Sequence, residues 1–188
     1  MPYASAITIH HIYISPGHNY FGHMLGQPGA HPTHDVSEVE AHAGLGLVGD
    51  RFYGVRPAFD GQVTLLAWEV FAALQAELAR PEITPAQLRR NVVLEGVALN
   101  ALIGREFEMA YADGAGVRLA GVKHCAPCRW MDAGAAPGAL QFLKGRGGLR
   151  CQILRSGVIR KGAATLITDV ELNQTDILQS LARPNLPG

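Results

Sequence analysis

LIGREFEMAYADGAGVRLAGV occupies residues 102–122 and carries the clearest structural signal in the chain. Apolar and polar residues alternate in its first segment, 102–109, and again in its second segment, 117–122. Alternation with a period of two is typical of a half-buried β-strand. The turn between the segments is Asp113-Gly114-Ala115-Gly116, and an Asp-Gly pair in this position favours a β-hairpin. The stretch therefore predicts two adjacent antiparallel strands.

Short strands dominate the rest of the chain as well. Its 22 glycines and 11 prolines divide it into short segments, and such punctuation is typical of strands joined by turns. The first strand slips in its alternation at His10-His11, which predicts a bulge there. The predicted strands outside the hairpin are 7–14, 36–41, 61–66, 91–95, 151–155 and 164–167, the last two around a turn at Ser156-Gly157.

Helices are predicted at few positions. Residues 68–79 change to a helical period, with Val70, Phe71 and Leu74 on one face, which indicates an amphipathic helix. Three shorter helical pieces are predicted at 84–90, after a capping box, at 139–144 and from Thr175, with a loop over 132–138. About eight strands against two or three short helices predict a mainly β fold, either a barrel or a sandwich.

Composition sets limits on domain count and partners. At 188 residues, without a shift in composition, the chain is predicted to form one domain, 1–188, with its core at about 7–167 and a short helix and flexible tail over 175–188. Sixteen basic residues balance sixteen acidic ones, so no nucleic-acid or anionic membrane partner is predicted from bulk charge. No signal segment or run of about 20 apolar residues occurs. We expect a soluble, cytoplasmic protein with free thiols; the oligomeric state is left open.

The most chemically suggestive segment is the cysteine loop, residues 125–128, which reads Cys125-Ala126-Pro127-Cys128. Lys123, His124 and Arg129 flank it, and cations next to a thiol favour the reactive thiolate. A structural zinc site would need four ligands, and a thioredoxin-type pair would need a helix directly after the second cysteine. Neither pattern is met well, and an inert pair of thiols stays an alternative.

Two basic segments are candidates for anion binding. Arg89-Arg90-Asn91 lies between a short helix and a strand, and Arg146-Gly147-Gly148 forms a basic glycine turn. Guanidinium groups and exposed backbone amides match the oxygens of phosphate. A separate loop over residues 15–33 and His34 is rich in histidine, but its spacing does not match a zinc hydrolase motif.

Six segments in this order resemble the MOSC domain, named after the C-terminal domain of molybdenum cofactor sulfurases. The resemblance extends from about residue 7 to residue 166. The six segments are Gly49-Asp50-Arg51-Phe52, Gly61-Gln62-Val63-Thr64-Leu65, Arg89-Arg90-Asn91-Val92-Val93-Leu94-Glu95-Gly96, Leu102-Ile103-Gly104, Cys125-Ala126-Pro127-Cys128 and Arg146-Gly147-Gly148-Leu149-Arg150.

The resemblance implies a β-barrel of the pyruvate-kinase-barrel type with a few short peripheral helices. It also implies binding of molybdenum as the molybdopterin cofactor, with Cys128 as the metal ligand and Cys125 as a supporting neighbour. Arg89 and Asn91 correspond to the element that helps to hold the pterin phosphate. The other residues predicted to bind the cofactor are Asp50, Arg51, Arg146, Gly147 and Gly148.

Three functions are compatible with this resemblance. The first is an enzyme that reduces N-hydroxylated compounds with electrons from an external donor. The second is a sulfur carrier, in which Cys128 holds a persulfide supplied by a separate desulfurase, because no pyridoxal-phosphate domain is present in this chain and that cofactor is not expected to be bound. The third is a binding module without turnover, whose cysteines are inert or hold zinc.

Overall fold

A closed seven-stranded barrel forms the centre of the computed structural model, which describes residues 2–20 and 28–181. Around the barrel the strand order is β1, β6, β5, β9, β8, β7 and β11, and β11 pairs again with β1. Only β5 and β6 are parallel, so the barrel is mixed. The prediction of a mainly β barrel is confirmed. The described strands are β1 (Tyr3–Ile14), β2 (His34–Asp35), β3 (Glu38–His42), β4 (Gly46–Leu47), β5 (Val63–Ala67), β6 (Val92–Glu95), β7 (Glu106–Ala110), β8 (Gly116–His124), β9 (Leu149–Arg155), β10 (Gly157–Arg160) and β11 (Gly162–Thr168).

The predicted hairpin is β7 and β8, paired from Glu106 opposite Ala120 to Ala110 opposite Gly116. The bulge in the first strand is also present, because the register of β1 against β6 shifts between Ile9 and His11. Both features are local in sequence, which explains why the alternation alone could predict them.

A small second sheet corrects the prediction for the last strands. Residues 157–160 form β10, a separate strand rather than part of a simple turn between two final strands. β10 pairs with β3, which in turn pairs with β4. The described residues thus form more strands than the eight predicted, because the two-residue strands β2 and β4 and the four-residue strand β10 are too short to show a periodic pattern in the sequence.

The helices are short and lie outside the barrel: α1 (Trp68–Leu78), α2 (Trp130–Gly134) and α3 (Ala139–Leu143). α1 buries Val70, Phe71 and Leu74 as predicted. The predicted loop over 132–138 is wrong in its first part, since α2 continues to Gly134. The 84–90 helix is a 3-10 turn, Pro85–Leu88, with both capping-box hydrogen bonds in place.

The C-terminal helical element is shorter than predicted. The expected helix from residue 175 is a 3-10 turn, Gln174–Asp176, and the predicted tail from residue 182 onwards lies outside the described residues. None of the helices in the described ranges has the length and the apolar run that crossing a bilayer requires.

Candidate functional site

The candidate site lies on the outer face of the barrel wall, where β5, β9 and β8 are neighbours. Thr64 of β5 pairs with Arg150 of β9, and Arg150 pairs with Lys123 of β8. The adjacent pair Val63 and Cys151 is fully buried. Because successive side chains of a strand point to opposite faces, Thr64 and Arg150 face away from the barrel interior.

A cleft of about 250 Å³ lies on this face, and both Thr64 and Arg150 line it. Its lining is rich in arginine, aromatic rings and sulfur, and none of the described residues that line it carries a carboxylate. The lining residues are His18, Tyr20, Arg51, Phe52, Thr64, Arg89, Arg90, Cys125, Ala126, Cys128, Trp130, Met131 and Arg150. The cleft is therefore a cationic environment in a protein whose total formal charge is zero.

Asn91 lies beneath the cleft and connects three segments of the fold by hydrogen bonds. Its Oδ1 accepts hydrogen bonds from the backbone N–H of Thr64 at 3.0 Å and from the Thr64 hydroxyl at 2.8 Å. Its Nδ2 donates to the carbonyl of Tyr13 at 3.1 Å and to Asp50 Oδ1 at 3.3 Å. Both amide hydrogens and the amide oxygen are used within the fold, so Asn91 fixes β1, β5 and the 50–52 turn relative to one another.

Asp50 is a second buried centre of hydrogen bonding. Its carboxylate accepts from the backbone N–H groups of Ser15 at 3.2 Å and Phe52 at 3.1 Å. It also accepts from Arg51 Nη1 at 3.3 Å, in an ion pair whose carboxylate is only 1% exposed. These bonds hold the start of the 15–20 segment and the backbone of the 50–52 turn, and thereby position Arg51 at the cleft.

Arg90 joins three segments of backbone. Its Nε donates to the carbonyl of Gly147 at 2.7 Å, its Nη1 to that of Leu88 at 2.9 Å and its Nη2 to that of Cys125 at 3.1 Å. The residue is buried. Its planar guanidinium therefore fixes the cysteine loop and the 147–148 turn against the segment that leads into β6.

Arg51 and Arg89 differ from Arg90 in having unused donors. Arg51 Nε and Arg89 Nη1 are buried atoms that lack a hydrogen-bond partner among the described residues. Arg89 has a left-handed backbone, φ 57°, and its guanidinium lies over the Trp130 ring at 5.3 Å. Four guanidinium nitrogens of the described residues are buried without a partner, and two of them belong to arginines that line this cleft. Donors of this kind match the oxygens of an anion.

The electrostatics of the two arginines agree with this interpretation. Burial lowers the pKa of Arg89 to about 10, and the neighbouring Arg51 adds to the effect, while Asp50 and Cys128 oppose it. Burial also lowers the pKa of Arg51, against the opposing effect of Asp50. Both guanidinium groups stay protonated at neutral pH but are poorly solvated, so an anion in the cleft would stabilise them.

The three cysteines lie in different surroundings. Cys128 is half-buried and lines the cleft, within electrostatic range of Arg89. Cys125 is 6% exposed, and its backbone N–H donates to the carbonyl of Gly148 at 2.7 Å. Cys151 is fully buried, and burial followed by the effect of Cys125 raises its thiol pKa well above the usual value. Cys128 is thus the thiol that combines access with a cationic neighbour.

A sequence model of the MOSC domain matches residues 31–165, well over half of the chain. The chain belongs to the MOSC domain family. No curated protein matches the sequence.

Several solved structures have a similar fold at low sequence identity. The YUAD protein from Bacillus subtilis superposes with a TM-score of 0.70 at 18% identity, covering 91% of this chain and 100% of that chain. YiiM from Geobacillus stearothermophilus gives 0.60 at 17% identity, with coverages of 92% and 82%. YiiM from Escherichia coli gives 0.59 at 14% identity, with coverages of 94% and 76%. At these identities the likeness concerns the fold alone.

Of the residues assigned from the MOSC resemblance, the structure brings together Cys125, Cys128, Arg51 and Arg89 at the cleft. Asn91 and Asp50 lie directly beneath it. The cofactor-binding role of these last two residues stays a prediction, and in the structure their side chains are engaged with the protein itself.

The 146–148 turn is not part of the cleft lining. Arg146 lies against the Phe142 ring at 4.8 Å, on the other side of the cysteine loop. A Cβ added to Gly147 would collide with the carbonyl oxygen of Cys125, and one added to Gly148, φ 101°, would collide with that of Leu65. The two glycines therefore allow close packing of backbone segments, and their anion-binding role stays a prediction.

The structure also bears on the metal alternatives. Among the described residues, no group of three or more His, Cys, Asp or Glu side chains is arranged to hold a metal ion. Of the histidine-rich loop, His18 reaches the cleft and packs edge-on against Phe52 at 5.0 Å. His23 of this loop lies outside the described residues.

Two features of the site have no local signal in the sequence. They are the cross-strand pair of Thr64 and Arg150, and Trp130 as a wall of the cleft. Thr64 lies in one of the six segments, but its role depends on the pairing of β5 with β9. Its partner in that pairing, Arg150, lies 86 positions later in the chain. No local pattern carries such a pairing. Trp130 is the first residue of α2, a helix that the sequence does not predict.

His124 leads to a prediction about pH. Its Nε2 accepts the N–H of Gly147 at 2.9 Å, which requires a neutral ring, and burial, followed by Arg90, lowers the pKa of His124. The unfolded chain then binds more protons than the folded one, so this stabilisation is complete above about pH 6.5 and is lost as the pH falls toward the lowered value. We expect the melting temperature of the wild type to fall more steeply below about pH 6.5 than that of His124→Gln, whose amide oxygen can accept the same N–H. Parallel curves for the two proteins would contradict the prediction.

Proposed function

We propose that this MOSC protein binds molybdenum cofactor in the cleft, with the Cys128 thiolate as metal ligand. Arg51 and Arg89 would hold the phosphate of the pterin. The observation that carries the proposal is the pair of buried, unpaired guanidinium donors beside a half-buried thiol. Phosphate matches such donors, and a thiolate suits a soft metal ion. The MOSC domain itself is associated with this cofactor.

For the reaction, we propose reduction of N-hydroxylated compounds. Each turnover would convert an N–OH group to N–H and water, using two electrons from an external donor and two protons. Bound molybdenum would supply the centre that accepts the oxygen and passes on the electrons. The remaining tasks, which are substrate orientation and proton supply, fall to the residues of the chain.

Three side chains are suited to these tasks. Trp130 is fixed by a hydrogen bond from its Nε1 to the carbonyl of Gln87 at 3.0 Å, and Phe52 stacks on Phe59 at 5.2 Å. Both rings line or border the cleft as flat walls, which favour a planar substrate. His18 is an imidazole in the lining, and imidazole is the side chain best able to transfer protons near neutral pH.

The first test is the cofactor content of the wild-type protein, purified from molybdenum-replete cells. Molybdenum is measured by mass spectrometry of the digested protein, and pterin by the fluorescence of its oxidised form. We expect both, in equal amounts. If neither is present, the proposed cofactor binding is wrong.

Arg89→Gln tests the phosphate-binding step separately. Removal of a charge-assisted hydrogen bond from a partly buried guanidinium should reduce cofactor affinity by about tenfold or more. Arg105→Gln is the matched control, because Arg105 is a half-exposed partner of Asp169 outside the cleft. The retained pterin after dialysis is the readout; equal retention by the two variants would contradict the role of Arg89.

A second candidate function uses the same thiol. Cys128 is the one described cysteine that is not buried, and a persulfide anion there would be stabilised by Arg89. In that case the protein is a sulfur carrier. Intact-mass analysis should then show one additional sulfur atom, which is removed by reduction and is absent from Cys128→Ala.

A further inference from the structure

The cations that lack ion pairs are concentrated around the cysteine loop. Most arginines and lysines of the described residues form ion pairs with carboxylates, spread over the barrel surface. Those without such a pair in residues 2–20 and 28–181 are Arg56, Arg89, Arg90, Arg129, Lys144 and Arg146. All but Arg56 belong to the cleft, adjoin the cysteine loop or lie on its far side. In the described part of the chain, a protein of zero formal net charge therefore has a locally positive face around the cysteine loop.

On this face a second depression, the far groove, lies behind the cysteine loop. Its volume is about 810 Å³, larger than that of the cleft. It is lined by Glu77, His124, Ala126, Pro127, Leu140, Gln141, Phe142, Lys144, Gly145, Arg146, Ser180 and Leu181. Ala126 lines both the far groove and the cleft, so the cysteine loop is the wall between them.

The far groove is held in shape by bonds that cross it. The carbonyl of Gly145 accepts the backbone N–H of Leu181 at 2.9 Å and the side-chain N–H of Asn100 at 2.9 Å. Asn100 also donates to the carbonyl of Gln179 at 3.2 Å. The 179–181 segment is thereby fixed to the 144–146 turn, and the groove exists without a ligand to form it.

The charges in the far groove favour an acidic occupant. Lys144 Nζ contacts only the neutral Gln141 Oε1, at 2.6 Å, among the interactions of the described residues. Arg146 stacks on Phe142, and its Nε is a buried atom without a partner in that part of the chain. Among the described residues that line the far groove, Glu77 is the single acidic one. Exposed cations without partners attract acidic groups and increase the rate of encounter.

Apolar side chains lie between these cations, which distinguishes a protein segment from a nucleic acid. Leu140 and Phe142 are half-buried, and Leu181 is 43% exposed. A nucleic acid would meet a short, mixed surface rather than a continuous basic track, whereas an amphipathic acidic segment matches both kinds of side chain.

We propose that the far groove docks an acidic segment of the protein that serves Cys128. That task, electron delivery, rests on the proposed function; the groove and its charge do not. A partner seated here contacts the cysteine loop through Ala126 and leaves the cleft open for substrate. The partner is defined by its chemistry: glutamate or aspartate side chains interleaved with leucine-like ones.

The experiment uses the full chain and a fluorescein-labelled peptide of glutamate and leucine, with fluorescence anisotropy as the readout. The comparison probes are the same peptide with glutamine in place of glutamate and a short single-stranded DNA. Lys144→Glu and Arg146→Glu are compared with Arg105→Glu, which makes the same charge change outside the groove. We expect binding of the acidic peptide to weaken about tenfold in each groove variant, and by less than about twofold in Arg105→Glu.

Three results would overturn the proposal: equal weakening in all three variants, no preference over the glutamine peptide, or tighter and equally groove-dependent binding of the DNA. Molybdenum content is measured in the same preparations. Peptide binding by protein without molybdenum would keep the docking groove and reject the cofactor proposal. A protein that contains molybdenum but does not bind the peptide would keep the cofactor proposal and reject the docking groove.

Discussion

Cys128→Ala is expected to remove molybdenum and pterin from the purified protein, to below about a tenth of the wild-type content. The reason is that Cys128 combines partial exposure with a position in the cationic cleft. Arg51 and Arg89 would contact the phosphate of the pterin and not the metal, so without the Cys128 thiolate the metal would lose its proposed protein ligand. The loss should therefore be nearly complete although the two arginines are intact.

Cys125→Ala is the matched control for this result. The two thiols lie in the same loop, but Cys125 is buried and its backbone, rather than its side chain, is engaged by Arg90 and Gly148. Alanine at this position fills a similar volume and introduces no unsatisfied polar group. We expect Cys125→Ala to keep at least about half of the wild-type molybdenum. Equal losses in the two variants would contradict a specific role for Cys128, provided that both variants melt as the wild type does.

The parts of the fold that the sequence predicted are those in which the determining residues are close in the chain. The hairpin around Asp113-Gly114, the bulge at His10-His11 and the burial of one face of α1 all depend on local periodicity and turn chemistry. The place of β10 in the small sheet depends on contacts between residues more than a hundred positions apart, such as Val158 with Glu40. Periodicity contains no information about such pairing.

The same distinction holds for the site. The resemblance selected the segments that surround the cleft, and four of its residues do line it. The sequence did not reveal which polar side chains form hydrogen bonds within the fold and which keep donors that a ligand can use. Asn91 and Arg90 lie next to each other and next to Arg89, yet their donors are used within the fold, while Arg89 keeps a buried N–H without a partner in the described structure. That division depends on distant carbonyls, which no local motif encodes.

The cysteine loop thus separates the cleft from the far groove. On one side, Arg51 and Arg89 provide buried donors without a partner among the described residues, in a cleft of about 250 Å³. On the other, Lys144 and Arg146 provide cations in the far groove. A rigid loop is required for either side to be useful, because a shift of about 1 Å in a reacting or ligating group is costly. Arg90 is the residue that supplies this rigidity.

Arg90→Met is therefore expected to destabilise the protein by about 4 kcal/mol, since three carbonyls in a buried environment lose a charged donor at once. Methionine retains much of the length and apolar volume of arginine, so the effect reports the hydrogen bonds rather than a cavity. Urea unfolding, followed by tryptophan fluorescence, measures the change. The loosened loop should also make Cys125, 6% exposed in the wild type, more reactive toward a thiol reagent.

Two further variants test whether the loss of stability comes from the three hydrogen bonds of the Arg90 guanidinium. One keeps the positive charge at position 90, and the other removes an arginine elsewhere. Arg90→Lys keeps the positive charge but cannot reach the carbonyls of Leu88, Cys125 and Gly147 in one plane, and it should recover less than about half of the lost stability. Arg105→Met removes a half-exposed ion pair with Asp169 and should cost less than about 1 kcal/mol. A loss below about 1 kcal/mol in Arg90→Met, or full recovery in Arg90→Lys, would show that the three carbonyls do not depend on the guanidinium. The cysteine loop would then have to be held by the packing of Gly147 and Gly148 instead.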